Sequence, residues 1–406
     1  MSDYLPQEVI TNILLRLPSK SLVICTSVCK SWGSMIKNSS FIQAHLSHRI
    51  NYNNLHGTHL LLLHGVSCKT YGSSFGHYLF INGFKEEVYS LHYDNYNFDE
   101  YCKVVLQSPI SDEEMCNEYF RVVGICNGLV FLADDFSHFG YNFIIWNPSI
   151  RKLVTLPKPG LKYETIGGYY ACHGFAFDAI TNDYKVVRLI EVQSGFMEGT
   201  ANQTFMEVYS LAAGSWSDPR LVDPQCGINT GSPQAFVNGA LHWDVCGLAS
   251  TSYHYFVLAF DVSSELFREI MVPKSLESDL QGVLSLQVSV SGDGKSLALF
   301  VAGPSEEGIY SFLHVWVMKE YSVQDSWTKL FTLHPQGPEE RLLRALCFRK
   351  SGEVILQVYN SYKELYSLDL ASGQFKTLGN SIYKCNTMHP YEESIVLLDR
   401  NDAISS

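Results

Sequence analysis

Apolar residues at the start of the chain recur with a helical period. Val9, Ile10, Ile13, Leu14 and Leu17 are spaced by three and four, with Pro6 at a first helical position, Glu8 in the first turn and Pro18 as a stop. This predicts one amphipathic helix. Ser19 can cap a second, in which Leu22, Cys25, Val28, Cys29, Trp32 and Ile36 continue the same spacing. A shorter third helix is expected over residues 40–46. An Asn-rich stretch at 51–54 follows, and from Thr58 the pattern switches to short runs of β-branched and aromatic residues separated by Gly, Asn, Asp and Pro, the signal of an all-β sandwich, barrel or propeller.

Self-similarity selects the propeller. A first element, strand–tight turn–strand, occurs at 123–132, 174–187, 235–243, 288–299 and 345–356. A second strand pair follows each, at 144–153, 206–216, 257–267, 313–321 and 365–375. The centres of these second elements, Trp146, Tyr209, Phe260, Trp316 and Tyr366, lie roughly 50 to 60 residues apart, near the kelch-like period of a four-stranded blade. With a further blade at 58–93 the expectation is a propeller of about six blades, closed by pairing of a last strand at 394–398 with the first blade. The expected domains are residues 1–50, a linker at 51–57, and the β domain at 58–400.

Charge divides the chain at the same place. Residues 1–50 carry a net +3 and the remainder a net −15, for a total of −12. Phosphate neutralisation by Lys and Arg dominates nucleic-acid affinity, so a nucleic-acid partner is not expected. With 46% hydrophobic and 17% charged residues the composition is that of a folded protein, and no run approaches the roughly 18 apolar residues of a membrane span. Eleven cysteines without a CxxC pair read as the thiols of a reducing compartment, cytoplasm or nucleus.

Candidate chemistry is sparse. Cys25, Cys29, His45 and His48 superficially suggest zinc, but the histidines are three apart and no hairpin carries the cysteines. Residues 292–296, Gly-Asp-Gly-Lys-Ser, resemble the end of a phosphate loop. The first glycine of that motif would fall at Ser289, between two apolar strands, so a hairpin turn is expected. Cys172 with His173 and His242 with Asp244 have no legible third partner. No intrinsic catalysis, cofactor or metal is expected.

Two stretches carry a family resemblance. Leu5-Pro-Gln-Glu-Val-Ile-Thr-Asn-Ile-Leu-Leu-Arg-Leu-Pro18, Ser21-Leu22 and Val28-Cys-Lys-Ser-Trp32 resemble the F-box in order and spacing. The remainder resembles the plant F-box-associated interaction domain through Cys126-Asn-Gly-Leu129, Trp146-Asn-Pro-Ser149, Gly174-Phe-Ala-Phe-Asp178, Asn182-Asp-Tyr-Lys-Val-Val-Arg188 and Asn238-Gly-Ala-Leu-His-Trp243. The resemblance implies a Skp-type adaptor on the helices, a cullin scaffold behind it, and a protein substrate on the β domain. It assigns adaptor contact, or the fold presenting it, to Leu5, Pro6, Val9, Ile13, Leu17, Pro18, Leu22, Val28, Cys29 and Trp32. A unit of about 45 residues buries little of its own surface, which independently calls for a partner.

Acidic residues cluster between Glu86 and Asp135 with interleaved tyrosines. If this run binds substrate, it suits a basic protein. The candidate contacts are Asp94, Tyr96, Asp99, Glu100, Tyr101, Asp134 and Asp135, with Tyr163 and Tyr169 from the insertion at 162–170; further insertions lie at 193–203, 218–232 and 303–311. Two other readings stay open. One is a pollen self-incompatibility factor recognising style ribonucleases; the other is a propeller enzyme or lectin-like binder.

Overall fold

The computed structural model describes residues 5–75, 78–111, 113–117, 119–135, 140–192, 203–223, 226–228, 233–249, 252–277, 285–304, 311–333, 342–359, 364–380 and 385–406. Helices occupy the N-terminal part: α1 (Gln7–Leu15), α2 (Ser19–Cys25), α3 (Lys30–Ile36) and α4 (Ser39–His56). Six antiparallel sheets follow, and each is one blade; after blade 1 they are numbered in chain order, with blade 2 within residues 121–155, blade 3 within 169–221, blade 4 within 227–271, blade 5 within 285–333 and blade 6 within 342–380.

Two helical expectations need correction. The predicted second helix is two, because the chain turns at 26–29: Thr26 Oγ donates to the Val23 carbonyl at 2.6 Å, and Cys29 is extended at φ −158°. The third helix does not end near residue 46. Asn38 accepts the Ser40 N–H at 2.9 Å as N-cap, and α4 runs through the Asn-rich stretch to Gly57, whose φ of +65° terminates it. Residues 51–56 are therefore helical rather than a linker. The buried Asn53 amide helps hold them, donating to Glu392 Oε2 at 2.5 Å.

Blade 1 comprises Cys385–Tyr391, Leu60–Phe75, Tyr78–Tyr93 and Glu100–Val104 in that order. The ring therefore closes through Cys385–Tyr391, which pairs with Leu60 to Val66. Residues 394–398 form no strand; they turn, and Ile395 and Leu397 are buried under the helices. Ile404–Ser405 instead adds an edge to blade 2 at Leu153. Pairing alone decides between such closures, and a short apolar run near a terminus does not announce its partner.

Inner strands all run the same way, and those of blades 2 to 6 end at tight turns on one face of the ring. The turns Asn127-Gly128 (φ +52° and +78°) and Asn238-Gly239 (φ +53° and +75°) have two left-handed residues, which is why Asn-Gly stands in both. Helix α4 enters blade 1 on this face. The opposite, far face carries the connection from blade 2 to blade 3 and the far ends of the two 16-residue strands of the blade 1 hairpin.

Apolar side chains fill the six clefts between neighbouring blades. Five of these cores contain only propeller residues, for example Leu62, Tyr89, Val130 and Trp146 between blades 1 and 2. The core between blades 2 and 3 reaches further, joining Val123, Leu129 and Phe175 to Ile395 and Leu397 and then to Ile10, Leu14, Leu22, Ile36 and Ile42 of the helices. The helices and the ring therefore share one core.

Candidate functional site

The periodicity of α1 divides it into two faces. Ile10 and Leu14, four apart, point inward, and Leu14 has no exposed surface. Val9 and Ile13, offset by one position, remain exposed at 41% and 48%, and Leu5 continues their row. The same division occurs in α2, where Leu22 is fully buried while Ile24 is 72% exposed. Val28 and Cys29, in the turn before α3, are exposed as well. The outcome is a solvent-facing apolar face across α1, α2 and the α2–α3 turn, backed by a packed inner face.

Most of the residues expected on this face are there: Leu5, Pro6, Val9, Ile13, Pro18, Val28 and Cys29 are exposed, while Leu17 and Trp32 are half-buried. Leu22 belongs to the shared core, and so to the fold that presents this face rather than to the face itself. Ile24 was missed, although a residue two positions from a buried one on a helix lies on the opposite side, and the sequence contained that signal.

Polar groups fix the helices to one another and to the ring. His45 Nε2 lies 2.9 Å from the Leu17 carbonyl. Burial pushes the His45 pKa down, so the ring is neutral and Nε2–H donates to Leu17. At the junction, Arg49 reaches Glu393 at 3.5 Å and His59 lies 3.7 Å from Glu392. Burial raises the Glu392 carboxyl above its ordinary value, against the pull of Asn53 and His59.

The chain from residue 394 onward straps this junction to blade 2. The Asn147 amide donates to the carbonyls of Ser394 at 3.1 Å and Val396 at 2.8 Å. Trp146 Nε1 donates to Ser406 Oγ at 3.0 Å, and Ser149 meets the Tyr391 hydroxyl at 2.6 Å. The Trp146-Asn-Pro-Ser149 stretch thus holds the C-terminal segment that supports the helices.

The structure does not assemble the acidic candidates into one surface. Asp94, Tyr96, Asp99, Glu100 and Tyr101 stand on the helix-bearing face, whereas Asp134, Asp135, Tyr163 and Tyr169 stand at the far end of blades 2 and 3. Four of them are internal. Asp94, 2% exposed at its side chain, pairs with Arg349 at 2.7 Å and accepts the Lys350 N–H at 2.8 Å. Asp134 accepts from the Cys116 and Asn117 backbones and the Asn117 and Asn142 amides, all within 2.8 Å; burial nonetheless raises its pKa. Asp135 is gripped by Arg121 at 2.9 and 3.1 Å. Burial alone would raise Asp135, yet Arg121 and His173 hold it well below the usual carboxylate range.

Tyr169 is buried against Arg188, whose guanidinium donates to its hydroxyl at 2.9 Å and to Glu207 at 2.9 Å. Glu207 in turn accepts the N–H groups of Gly160 and Leu161 at 2.8 and 2.9 Å. This buried pair anchors the insertion that displays Tyr163 and Tyr170, 50% and 47% exposed, at the far face. Glu86 and Glu87 belong to the blade 1 hairpin, while Asp112, Glu118, and the insertions at 193–202, 224–225, 229–232 and 305–310 lie outside the described residues.

The other motifs have ordinary settings. Asp293 caps the 291–296 turn, accepting the Lys295 and Ser296 N–H groups at 2.8 and 3.1 Å. His242 bridges the Ala235 carbonyl and the Tyr321 hydroxyl at 3.2 and 2.8 Å. Cys25 is half-buried, Cys29 exposed.

Four short helices seated on one face of a six-bladed propeller, with an apolar outer face, define an F-box module carried by a β-propeller. Residues 3–43 match the F-box domain and residues 79–366 match the F-box associated beta propeller domain; the chain belongs to this F-box-associated propeller family. It is similar to F-box protein CPR1 of Arabidopsis thaliana, 25% identical with 92% of this chain and 84% of that one covered. An F-box/kelch-repeat protein of the same plant is 25% identical over 97% and 95%. Among solved structures, the Dos1 propeller is 10% identical at a TM-score of 0.36, covering 73% of this chain and 65% of that one.

Proposed function

We propose that this protein is the substrate-recognition subunit of a Skp–cullin–F-box ubiquitin ligase. The observation that supports this most is the two-faced helical module. One face is built into the propeller core, and the other leaves Leu5, Val9, Ile13, Ile24 and Val28 in solvent. A Skp-type adaptor docks on that outer face and connects to a cullin. The protein substrate binds at the far face, where the hairpin of blade 1 and the Tyr163–Tyr170 insertion project away from the adaptor.

The ligase reading assigns this chain no bond-making step. Its contribution is effective concentration: it holds a substrate lysine near the conjugating enzyme, turning a bimolecular encounter into a local one. The shared core and the C-terminal strap suit this role, because a fixed distance between adaptor and substrate keeps that concentration high. Among the described residues the acidic run does not form a single patch, which removes the main support for a basic substrate and for the self-incompatibility reading. The test is reconstitution with a plant Skp-type adaptor, a cullin–RING core, a conjugating enzyme and ubiquitin. The expected result is a stable complex in which this chain is itself ubiquitinated in an adaptor-dependent manner. Failure to join the adaptor in that mixture would overturn the reading.

A further inference from the structure

The inner strands enclose a cavity of about 250 Å³ along the propeller axis. An apolar cavity of roughly 150 Å³ suffices to hold a benzene ring, so this one has room for a fused bicycle. Its wall is largely hydrophobic, with Leu61, Phe236, Phe348 and Met388 among the lining residues. Uncharged polar side chains interrupt this wall, among them Gln234, Gln287, Ser289 and His389; Gln234 is committed to the Phe175 backbone. Gln287 is 4% exposed, and His389 Nε2 is buried without a hydrogen-bond partner. Buried polar groups are ordinarily satisfied, and those left unpaired are costly.

Charge sorts the occupants. The charged lining residues Asp94, Arg349, Lys350 and Glu392 sit at the mouth on the helix-bearing face, where Asp94 is committed to Arg349 and Glu392 to Asn53. Further along the inner strands the polar lining is uncharged, and burial pushes His389 down to about 4, so this ring is neutral near pH 7. Arg344 and Arg121 act on His389 through space but do not line the cavity, so an ionised ligand would have to shed its water there without a counter-charge in contact. A neutral hydrogen-bonding group would meet the Gln287 amide and His389 directly.

We infer that the axial cavity is a binding site for a small uncharged molecule with a flat apolar body of about two rings and a carbonyl, lactone or hydroxyl group facing Gln287 and His389. The site lies beside His59 and Glu392, at the junction of helices and ring, and is separate from the adaptor and substrate surfaces. Its occupation does not depend on the ligase reading.

Coumarin, a neutral bicyclic lactone, is the probe, with coumarin-3-carboxylate as its ionised counterpart, and binding is read on the full chain by saturation-transfer NMR. The expected results are saturable binding of coumarin, at least tenfold weaker binding of the carboxylate, at least tenfold weakening of coumarin by Gln287→Leu, and loss of binding in Ser289→Trp, which fills the cavity. Absence of transfer to coumarin, equal binding of both probes, or full binding in folded Ser289→Trp would each overturn the inference. Should Ser289→Trp not fold, the nearly isosteric Gln287→Leu decides alone. Adaptor binding measured on the same preparations keeps this outcome distinct from the ligase reading.

Discussion

Truncating Ile13 and Ile24 together isolates the adaptor face from the fold. Their side chains are 48% and 72% exposed, and full burial of a large aliphatic side chain stabilises by about 1.5–3 kcal/mol. Only the portion still in water remains to be gained on docking, so each contributes about 1–1.5 kcal/mol. The pair then accounts for about 2–3 kcal/mol, a loss of roughly 30- to 150-fold in adaptor affinity. Stability should hardly change, since exposed substitutions away from caps and cores stay within about 0.5 kcal/mol. Leu14→Ala is the contrasting control: that side chain is fully buried, and its truncation costs about 2–5 kcal/mol of folding free energy. Isothermal titration with a purified Skp-type adaptor, paired with thermal denaturation, reads both quantities. If Ile13→Ala/Ile24→Ala bound adaptor within twofold of the parent while folded, the assignment of this face would be wrong.

Three further outcomes follow from buried polar groups. Asn147→Ala leaves the Ser394 and Val396 carbonyls without their donor, at about 1–3 kcal/mol per buried group; amide exchange should quicken in residues 394–406 and α1 ahead of the outer blades, and unchanged exchange there would contradict the strap. Glu207→Ala strands the fully buried Arg188 and should cost about 3–5 kcal/mol, with new protease cleavage between residues 157 and 169; an unaltered melting point would refute it. Burial lowers His242 to about 4, below its ordinary value in the unfolded chain, so the unfolded state takes up the proton first. Its contribution, on the order of 3 kcal/mol, is present above about pH 6.5 and is lost as pH falls towards 4. His242→Gln should flatten the decline of stability over that window, and an identical slope would argue against it.

Much of this architecture was legible from local pattern. The helical stripe of α1, the stop at Pro18 and the Asn-Gly turns are short-range signals, and each stands where the spacing put it. Blade number came from repetition, since every blade solves the same packing problem with similar residues. What escaped depended on distant partners. Asp94 and Asp99 look alike in the sequence, but Arg349, 255 positions away, draws one inside. Leu22 and Ile24 both read as apolar helix residues until the propeller core claimed the first. Ring closure likewise rested on a distant pairing: residues 394–398 are the more apolar run, yet 385–391, with Asn386, Thr387, His389 and Pro390, pair with Leu60 to Val66.

The central claim is that the outer face of α1, α2 and the α2–α3 turn is the attachment surface while the propeller's far side is left free. Hydrogen exchange of the full chain with and without a saturating Skp-type adaptor tests this directly. Slowed exchange in peptides covering residues 5–17 and 22–32, with the hairpin of blade 1 and residues 160–170 unchanged, is the predicted pattern. Protection confined to the propeller, or none in α1, would contradict it.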